Sequence, residues 1–322
     1  MPKISIIVAM YNSSWEKLKI TINSILIQTG IDYEIIFADD GSDIKLNNQI
    51  IRFIPENINY RFSDSNTNIG TVSNITNALK YVNGDYVKVI SPGDFFNGKH
   101  VLKEWVAYML DSNADLSFCD AIYYRNVNSK PEIIISKASP KNSYIYHKNR
   151  NRTNIFVDYL LANDLILGAS VMVKKSIIIR YLEEINGKIK YAEDYMIRLM
   201  VFDNMKICHV NSAFIWYEYG DGVSTTKCDK WAKLLHKDFE SADNLIKSRK
   251  GAYEKLQKRY ISLLTGDKFK FFPHKLKKVL SFPTMLLYRI QMRFFYHRTT
   301  KGNIEIFEQI YKYDPQACNL EK

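Results

Sequence analysis

The sequence contains few of the residues that build disulfide or zinc frameworks. Its four cysteines lie far apart in 322 residues and form no CxxC pair. This spacing argues against a disulfide framework and a zinc site, and it predicts reduced thiols of the cytosolic kind. Runs of about 18 or more apolar residues are missing too, so the sequence predicts no membrane span. Because residues 1–5 also lack the form of a secretory signal, we expect a cytoplasmic protein.

Two common nucleotide-binding signatures are absent from the N-terminal region. It contains neither the Walker pattern GxxxxGK[ST] nor GxGxxG. Their absence argues against a P-loop nucleoside triphosphatase and against a dinucleotide-dependent dehydrogenase. The composition is otherwise that of a folded soluble protein, with 46% hydrophobic and 25% charged residues.

Positive charge is concentrated in the C-terminal part of the chain. Residues 246–301 hold 15 Lys or Arg against two acidic residues, whereas the whole chain carries +11. Basic and apolar residues alternate there at helical spacing, which suits a helix on an anionic membrane surface, at about 1 kcal/mol per basic residue. The alternative is a helical appendage that packs on the N-terminal body, or a homo-oligomer contact. Nucleic-acid binding is not expected, because no RNP, helix-turn-helix or zinc motif accompanies the charge.

Strand and helix patterns alternate in the first hundred residues. Apolar, β-branched runs at 4–9, 33–38 and 86–90 predict buried strands, and the first two are separated by a segment of helical periodicity. This alternation predicts an α/β fold with a mostly parallel sheet flanked by helices. We expect this α/β domain at 1–228 and a basic helical region at 229–322.

Acidic residues follow two of these strands. Asp39 and Asp40 end the second strand, and Asp94 ends the turn Ser-Pro-Gly-Asp after the strand at 86–90. Ligands of open α/β sheets bind beyond the carboxyl ends of strands. Carboxylates brought together there suit a nucleoside diphosphate that shares Mg²⁺ or Mn²⁺ with the protein. A capping or Asx-turn role is the alternative for a lone Asp94.

Seven short segments are not distinctive one by one, but their order along the chain is typical of one protein family. They are Ile4–Asn12, Glu34–Asp43, Asn68–Gly70, Asn77–Leu79, Gly84–Asp94, Gly168–Ser170 and Ala192–Asp194. Together they resemble family 2 glycosyltransferases of the GT-A fold, over roughly residues 3–225. The resemblance implies an inverting transfer of a sugar from a nucleotide sugar, expected to be UDP-linked, to a hydroxyl of a glycan or lipid-linked glycan. The setting it implies is bacterial surface-polysaccharide synthesis, at the inner face of the cytoplasmic membrane.

The resemblance also implies roles for individual residues. Tyr11 and Asp39 would contact the base, Asp94 would bind a divalent cation, and Asp194 would be the general base. The other residues assigned to the nucleotide sugar are Asn12, Asp40, Gly70, Ser91 and Glu193. Two departures from the family pattern stand out: Asp94 is the only acid of its turn, and Ile75-Thr76 replaces a frequent Arg-Asn pair.

The acceptor side is predicted from four further residues. Gly168, next to Ala169, interrupts an apolar stretch at 165–174 that reads as a strand, and a strand glycine often marks the close approach of a backbone or ligand. Trp216 either stacks on a sugar or belongs to the core. Ser224 ends a glycine-rich stretch that resembles a mobile lid. Residues 126–154 are expected to form a long surface excursion that frames the acceptor.

Glu193 and Asp194 lie where a helix is predicted to begin. Acids are favoured at that position by the helix dipole, which also predicts a lowered carboxylate pKa. Two other functions remain open at this point: a catalytically silent nucleotide-sugar-binding scaffold, which the two departures favour, and a sugar nucleotidyltransferase, whose glycine-rich signature is missing.

Overall fold

The computed structural model describes residues 3–127, 130–135, 137–147, 152–220, 229–249, 254–266, 274–294 and 302–315. The strands are β1 Ile4–Met10, β2 Tyr33–Asp39, β3 Tyr60–Asp64, β4 Tyr86–Ile90, β5 Phe95–Phe96, β6 Leu116–Val127, β7 Lys130–Ile133, β8 Val171–Lys174 and β9 Ile207–Glu218. The helices are α1 Trp15–Leu26, α2 Asn47–Phe53, α3 Thr71–Ala78, α4 Val101–Ser112, α5 Arg152–Phe156, α6 Lys175–Ile185, α7 Met196–Phe202, α8 Asp229–Ser248, α9 Lys255–Thr265, α10 His274–Ser281, α11 Thr284–Phe294 and α12 Ile304–Lys312. Across these ranges, every helix is too short or too polar to span a bilayer.

The strands form one nine-stranded sheet in the order β3-β2-β1-β4-β8-β6-β9-β5, with β7 beside β6. The first four strands are parallel, and so are β6 and β9, whereas β8, β5 and β7 are antiparallel to their neighbours. The predicted α/β fold, with helices flanking a central, mostly parallel sheet, is confirmed.

Both faces of the sheet are covered. On β1, Ile7 joins the apolar cluster on one face, while Ile6 and Val8 join the cluster on the other. A strand buried on both sides is apolar at most positions, which explains why β1 reads as a nearly continuous apolar run. Its one polar residue, Ser5, is buried and donates its hydroxyl to Glu34.

The described C-terminal helices pack on this body. Ala242 and Ile246 of α8 and Tyr260 of α9 belong to the same buried cluster as Ile7. Phe307 of α12 packs in a separate cluster with Trp216. These contacts agree with the predicted alternative of helices packed on the N-terminal body, while the division at residue 228 stays a prediction.

Two local predictions need correction. The excursion at 126–154 is not all surface, because β6 and β7 form a hairpin there and Tyr146 is fully buried. The predicted strand at 165–174 is limited to β8, and Gly168–Ser170 is a 3₁₀ turn instead. Tertiary contacts that residue composition does not reveal occur in both places: Tyr146 packs on Phe118, and the Ala169 carbonyl accepts from Lys88.

Candidate active site

Three strands deliver their ends to one edge of the sheet. Met10 is paired with Asp39 across β1 and β2, and Val8 is paired with Ile90 across β1 and β4. The loops that follow these strands therefore begin side by side. The prediction that Asp39 and the Asp94 turn share an edge agrees with this register.

The loops after β1 and β2 are tied to each other. Asn12, which has a left-handed φ of 46°, donates its side-chain amide to Asp43 (3.0 Å) and accepts from the Asp43 backbone (2.9 Å). Asp39 is buried and accepts from the Ser42 amide at 2.8 Å. Tyr11 is 49% exposed, so its ring is available to a ligand at this edge.

The resemblance assigns Asp40 and Gly70 to the nucleotide, and in the structure both residues have contacts within the protein. The two Asp40 carboxylate oxygens accept from the amides of Ile69 (2.8 Å) and Gly70 (3.0 Å), and burial raises the pKa of this carboxyl. A side chain at Gly70 would lie 2.6 Å from the Lys190 carbonyl oxygen, and φ there is +94°. Glycine is therefore required where this turn meets the segment that leads to Asp194.

The turn after β4 is fastened to helix α1. The Thr21 hydroxyl donates to the Asp94 carbonyl (2.7 Å) and accepts from the Gly93 amide (3.0 Å). The Asp94 carboxylate points inward: it is 5% exposed and accepts from the Glu218 amide at 2.9 Å. Burial raises its pKa to about 7. Ser91, by contrast, is exposed at the start of the turn.

This turn does not fit a divalent cation. Mg²⁺ and Mn²⁺ take about six oxygen ligands, of which the protein commonly supplies one or two carboxylates and the substrate phosphates and water the rest, so at least one accessible carboxylate is needed. Asp94 is the turn's one carboxylate; it is 5% exposed and accepts from the Glu218 backbone amide of β9. No group of three side chains that could hold a metal ion occurs within the described ranges. The described side chains around Asp94 therefore do not form a binding site for the predicted Mg²⁺ or Mn²⁺.

Glu193 and Asp194 form a 3₁₀ turn that runs directly into α7. Both are partly buried, so a ligand can still reach them. Burial raises the pKa of both carboxyls, and the Asp194 charge adds to the effect on Glu193. The expected lowering of the Asp194 pKa by a helix start is wrong, because desolvation outweighs the dipole here.

Gly168 allows the acidic pair to approach the sheet. A side chain at this position would lie 3.2 Å from the Asp194 Cβ and 3.5 Å from a Glu193 carboxylate oxygen. The sequence predicts the approach of a backbone or ligand at Gly168, and the groups that approach it in the structure are the side chains of the acidic pair. The next residue, Ala169, accepts a hydrogen bond from Lys88 at 2.7 Å through its carbonyl.

Lys88 was not singled out from the sequence. It lies in the middle of β4, fully buried, and its ammonium donates to the carbonyls of Val89 and Ala169. Burial lowers its pKa to about 8, while the charges of Asp94 and Glu193 favour the protonated form. A single lysine within the apolar strand Tyr-Val-Lys-Val-Ile is the signal that could have found it, because a buried ammonium needs partners.

A second missed residue, Asp238, comes from α8. Its carboxylate accepts three backbone amides, those of Lys190 (3.0 Å), Tyr191 (2.7 Å) and Ala192 (3.1 Å). The segment so held ends immediately before Glu193. A helix of the C-terminal region thus positions the acidic pair.

The remaining acceptor-side residues have different outcomes. Trp216 is fully buried, stacks on Phe95 and donates to Asn97 at 2.8 Å. Its ring is closed to a sugar, so the structure decides for the core interpretation and corrects the acceptor assignment. Ser224 lies outside the described residues.

A small, mostly apolar cavity borders the acidic pair and separates it from β4 and β8. The residues that line it are Ile75, Val87, Val89, Gly168, Val171, Val173, Ile178, Leu182, Glu193, Asp194 and Met196. This apolar lining explains why the two carboxyls are poorly solvated.

An α/β sheet with loops and acidic residues gathered at one edge has the arrangement in which open α/β folds bind their ligands. A scan against protein families matches residues 5–177 to "Glycosyl transferase family 2". The chain therefore belongs to glycosyl transferase family 2. A comparison with curated protein sequences gave no match.

Solved structures show the same fold at low sequence identity. S. aureus TarS, residues 1–349, is 18% identical with a TM-score of 0.55, covering 90% of this chain and 80% of that one. Its complex with UDP-GlcNAc is 15% identical with a TM-score of 0.56, covering 99% and 92%. The mannosyltransferase PcManGT from Pyrobaculum calidifontis, in complex with GDP-Man and Mn²⁺, is 11% identical with a TM-score of 0.54, covering 89% and 74%.

Proposed function

We propose that this protein is an inverting glycosyltransferase that moves a sugar from a nucleotide sugar, UDP-linked by preference, to a hydroxyl of a glycan or lipid-linked glycan. The observation that carries the proposal is the partly exposed Glu193–Asp194 pair beside Gly168. Family membership supports the donor class, and so do the similar structures in complex with UDP, UDP-GlcNAc and GDP-Man.

In the proposed reaction, Asp194 takes the proton from the acceptor hydroxyl. The acceptor oxygen then forms its bond to the anomeric carbon while the bond to the nucleoside diphosphate breaks on the opposite face, which inverts the configuration. A raised carboxylate pKa suits a base, because proton transfer is most efficient when the pKa lies closer to the working pH. Asp238 and Gly168 fix the position of the pair, and positioning is itself a large part of catalysis.

A place at the inner face of the cytoplasmic membrane, in the synthesis of a surface polysaccharide, belongs to the same proposal. Exposed apolar residues of α10 and α11 support it: Leu276, Leu280, Leu286, Leu287 and Ile290 are each at least 41% exposed. Lys277 and Arg289 lie on the same two helices. Apolar side chains together with basic ones suit an anionic bilayer surface.

The test is a panel of nucleotide sugars incubated with the purified protein, with and without candidate glycan acceptors. Released nucleoside diphosphate is measured by chromatography, and the product's anomeric configuration by NMR. One donor that stands clear of the others, with an inverted product, is the expected result. A retained configuration would contradict the proposed single displacement.

The alternative of a silent scaffold also has an observation in its favour, namely the closed turn around Gly93 and Asp94. Nucleotide binding without turnover of any donor, even by slow hydrolysis, would favour the scaffold over the transferase.

A further inference from the structure

We infer that the β4 turn binds the donor diphosphate without a divalent cation, and that the Lys17 ammonium is the positive charge it presents. The inference rests on the proposed function, because it concerns the nucleotide sugar of that reaction. The residues that carry it are Gly93, Glu218 and Lys17, at the turn where the resemblance implies that Asp94 binds a metal ion.

The first step is the space at Gly93. A Cβ built on Gly93 would lie 2.2 Å from a Glu218 carboxylate oxygen, far inside van der Waals contact. The backbone φ of +101° also disfavours any other residue. The Glu218 carboxylate, delivered by the end of β9, thus fills the volume that an acidic side chain of the turn would need.

The second step is the partner of that carboxylate. The Lys17 ammonium lies 2.8 Å from the same Glu218 oxygen, and the Lys17 carbonyl accepts from the Gly93 amide at 3.0 Å. Helix α1, the turn and β9 are therefore joined at one point. Glu218 is already paired and only 12% of its side chain is exposed, so it is poorly placed to serve as a metal ligand.

The third step is the balance of charge. Two carboxylates, Asp94 and Glu218, lie near two ammonium groups, Lys17 and Lys88, and Glu193 is a third carboxylate whose charge acts on Lys88. Asp94 accepts from the Glu218 amide and Glu218 is paired with Lys17, so both carboxylates beside the turn already have partners within the protein. Lys88 is fully buried, whereas 33% of the Lys17 side chain is exposed. Lys17 is thus the more exposed of the two cationic residues of this cluster, and its ammonium lies beside the turn.

The experiment is calorimetric titration of UDP and GDP into the purified protein, once with excess EDTA and once with MnCl₂. We expect the dissociation constant of the nucleotide that binds to agree within about twofold between the two buffers. Lys17→Met should weaken binding about tenfold in both buffers, because it removes a charge-assisted hydrogen bond. Lys17→Arg should restore most of the loss.

Lys19→Met is the matched control, since Lys19 lies on the same helix but over the Phe53 ring at 5.5 Å. Tightening by Mn²⁺ of about tenfold or more would overturn the inference. Wild-type affinity in Lys17→Met would do so as well. If Lys17→Met fails to fold, the comparison of the two buffers on the wild-type protein still decides. Absence of binding by either nucleotide in either buffer would overturn the proposed function, and this inference with it.

Discussion

The carboxylate of Asp238 accepts a hydrogen bond from the backbone amide of Ala192 at 3.1 Å, two residues before Asp194. Asp238 lies in α8, within the C-terminal region, yet it determines the path of the chain into the acidic pair. The nearby Arg198–Asp243 pair, at 2.6 Å, joins α7 to the same helix. The described part of α8 is therefore a component of the site.

Asp238→Asn should impair turnover more than donor binding. The amide keeps one acceptor but loses the charge that holds three backbone donors, so we expect the free energy of unfolding to fall by about 1–3 kcal/mol. The kcat should fall about tenfold, with the donor KM little changed, since Asp238 acts through the position of Asp194. Asp229→Asn, an exposed change in the same helix, is the control. A donor KM that rises with kcat unchanged would contradict the positioning role.

Asp194→Asn should make the protein more stable above neutral pH. Because burial raises the pKa of Asp194, the folded state binds this proton more tightly than the unfolded chain does. The free energy of unfolding therefore falls as pH rises from about 4, the ordinary carboxylate value, through the raised pKa.

Removing the carboxylate should abolish that loss. At about pH 8 we expect a melting temperature roughly 2 °C higher than wild type for each kcal/mol regained. The difference should shrink toward about pH 4, where the wild-type carboxyl is protonated. The control is Glu104→Gln, at an exposed position of α4, which should leave the melting temperature unchanged at both pH values. Equal melting temperatures of Asp194→Asn and wild type across this range would contradict the burial of the charge.

Lys88→Met should move the acid limb of the pH–rate profile to higher pH. The Lys88 charge favours ionised Glu193, so its loss raises the pKa of that carboxyl and of the pair to which it is coupled. The measurement is kcat/KM from acidic to neutral pH. Lys80→Met, at an exposed position, is the control. An acid limb that stays in place would show that Lys88 serves only to hold Ala169.

Trp216→Phe should affect stability and leave acceptor recognition intact. The change removes the hydrogen bond to Asn97 and leaves a gap beside Phe307, so the free energy of unfolding should fall by about 1–3 kcal/mol. Chemical denaturation measures this directly. A raised acceptor KM with unchanged stability would return Trp216 to the acceptor site.

The part of the site made from strand ends could be predicted from the sequence. A buried parallel strand reads as a continuous apolar run, and its end is visible where the run stops, as at Asp39 and Asp94. Parallel strands bring such ends to one edge whatever the rest of the fold does. Gly168 was found for a similar reason, because an isolated glycine in an apolar stretch marks a close approach.

The contacts that adjust the site could not be predicted in this way. Glu218 is 124 residues from Asp94 and Asp238 is 46 residues from Ala192, and no periodicity connects such positions. The error about the Asp194 pKa has the same origin. A helix start is a local property that the sequence displays, whereas desolvation by Gly168 and the apolar cavity depends on tertiary packing.

The most direct test of the account is the transfer activity of Asp194→Asn, measured with the donor that the panel identifies. Single-turnover rates and nucleotide affinity should be compared with those of the wild-type protein. We expect the rate to fall about 10²- to 10⁴-fold, with nucleotide affinity unchanged within about twofold, because a general base contributes to the chemical step and not to donor binding. Full transfer activity in this variant would remove Asp194 from the mechanism and contradict the central claim.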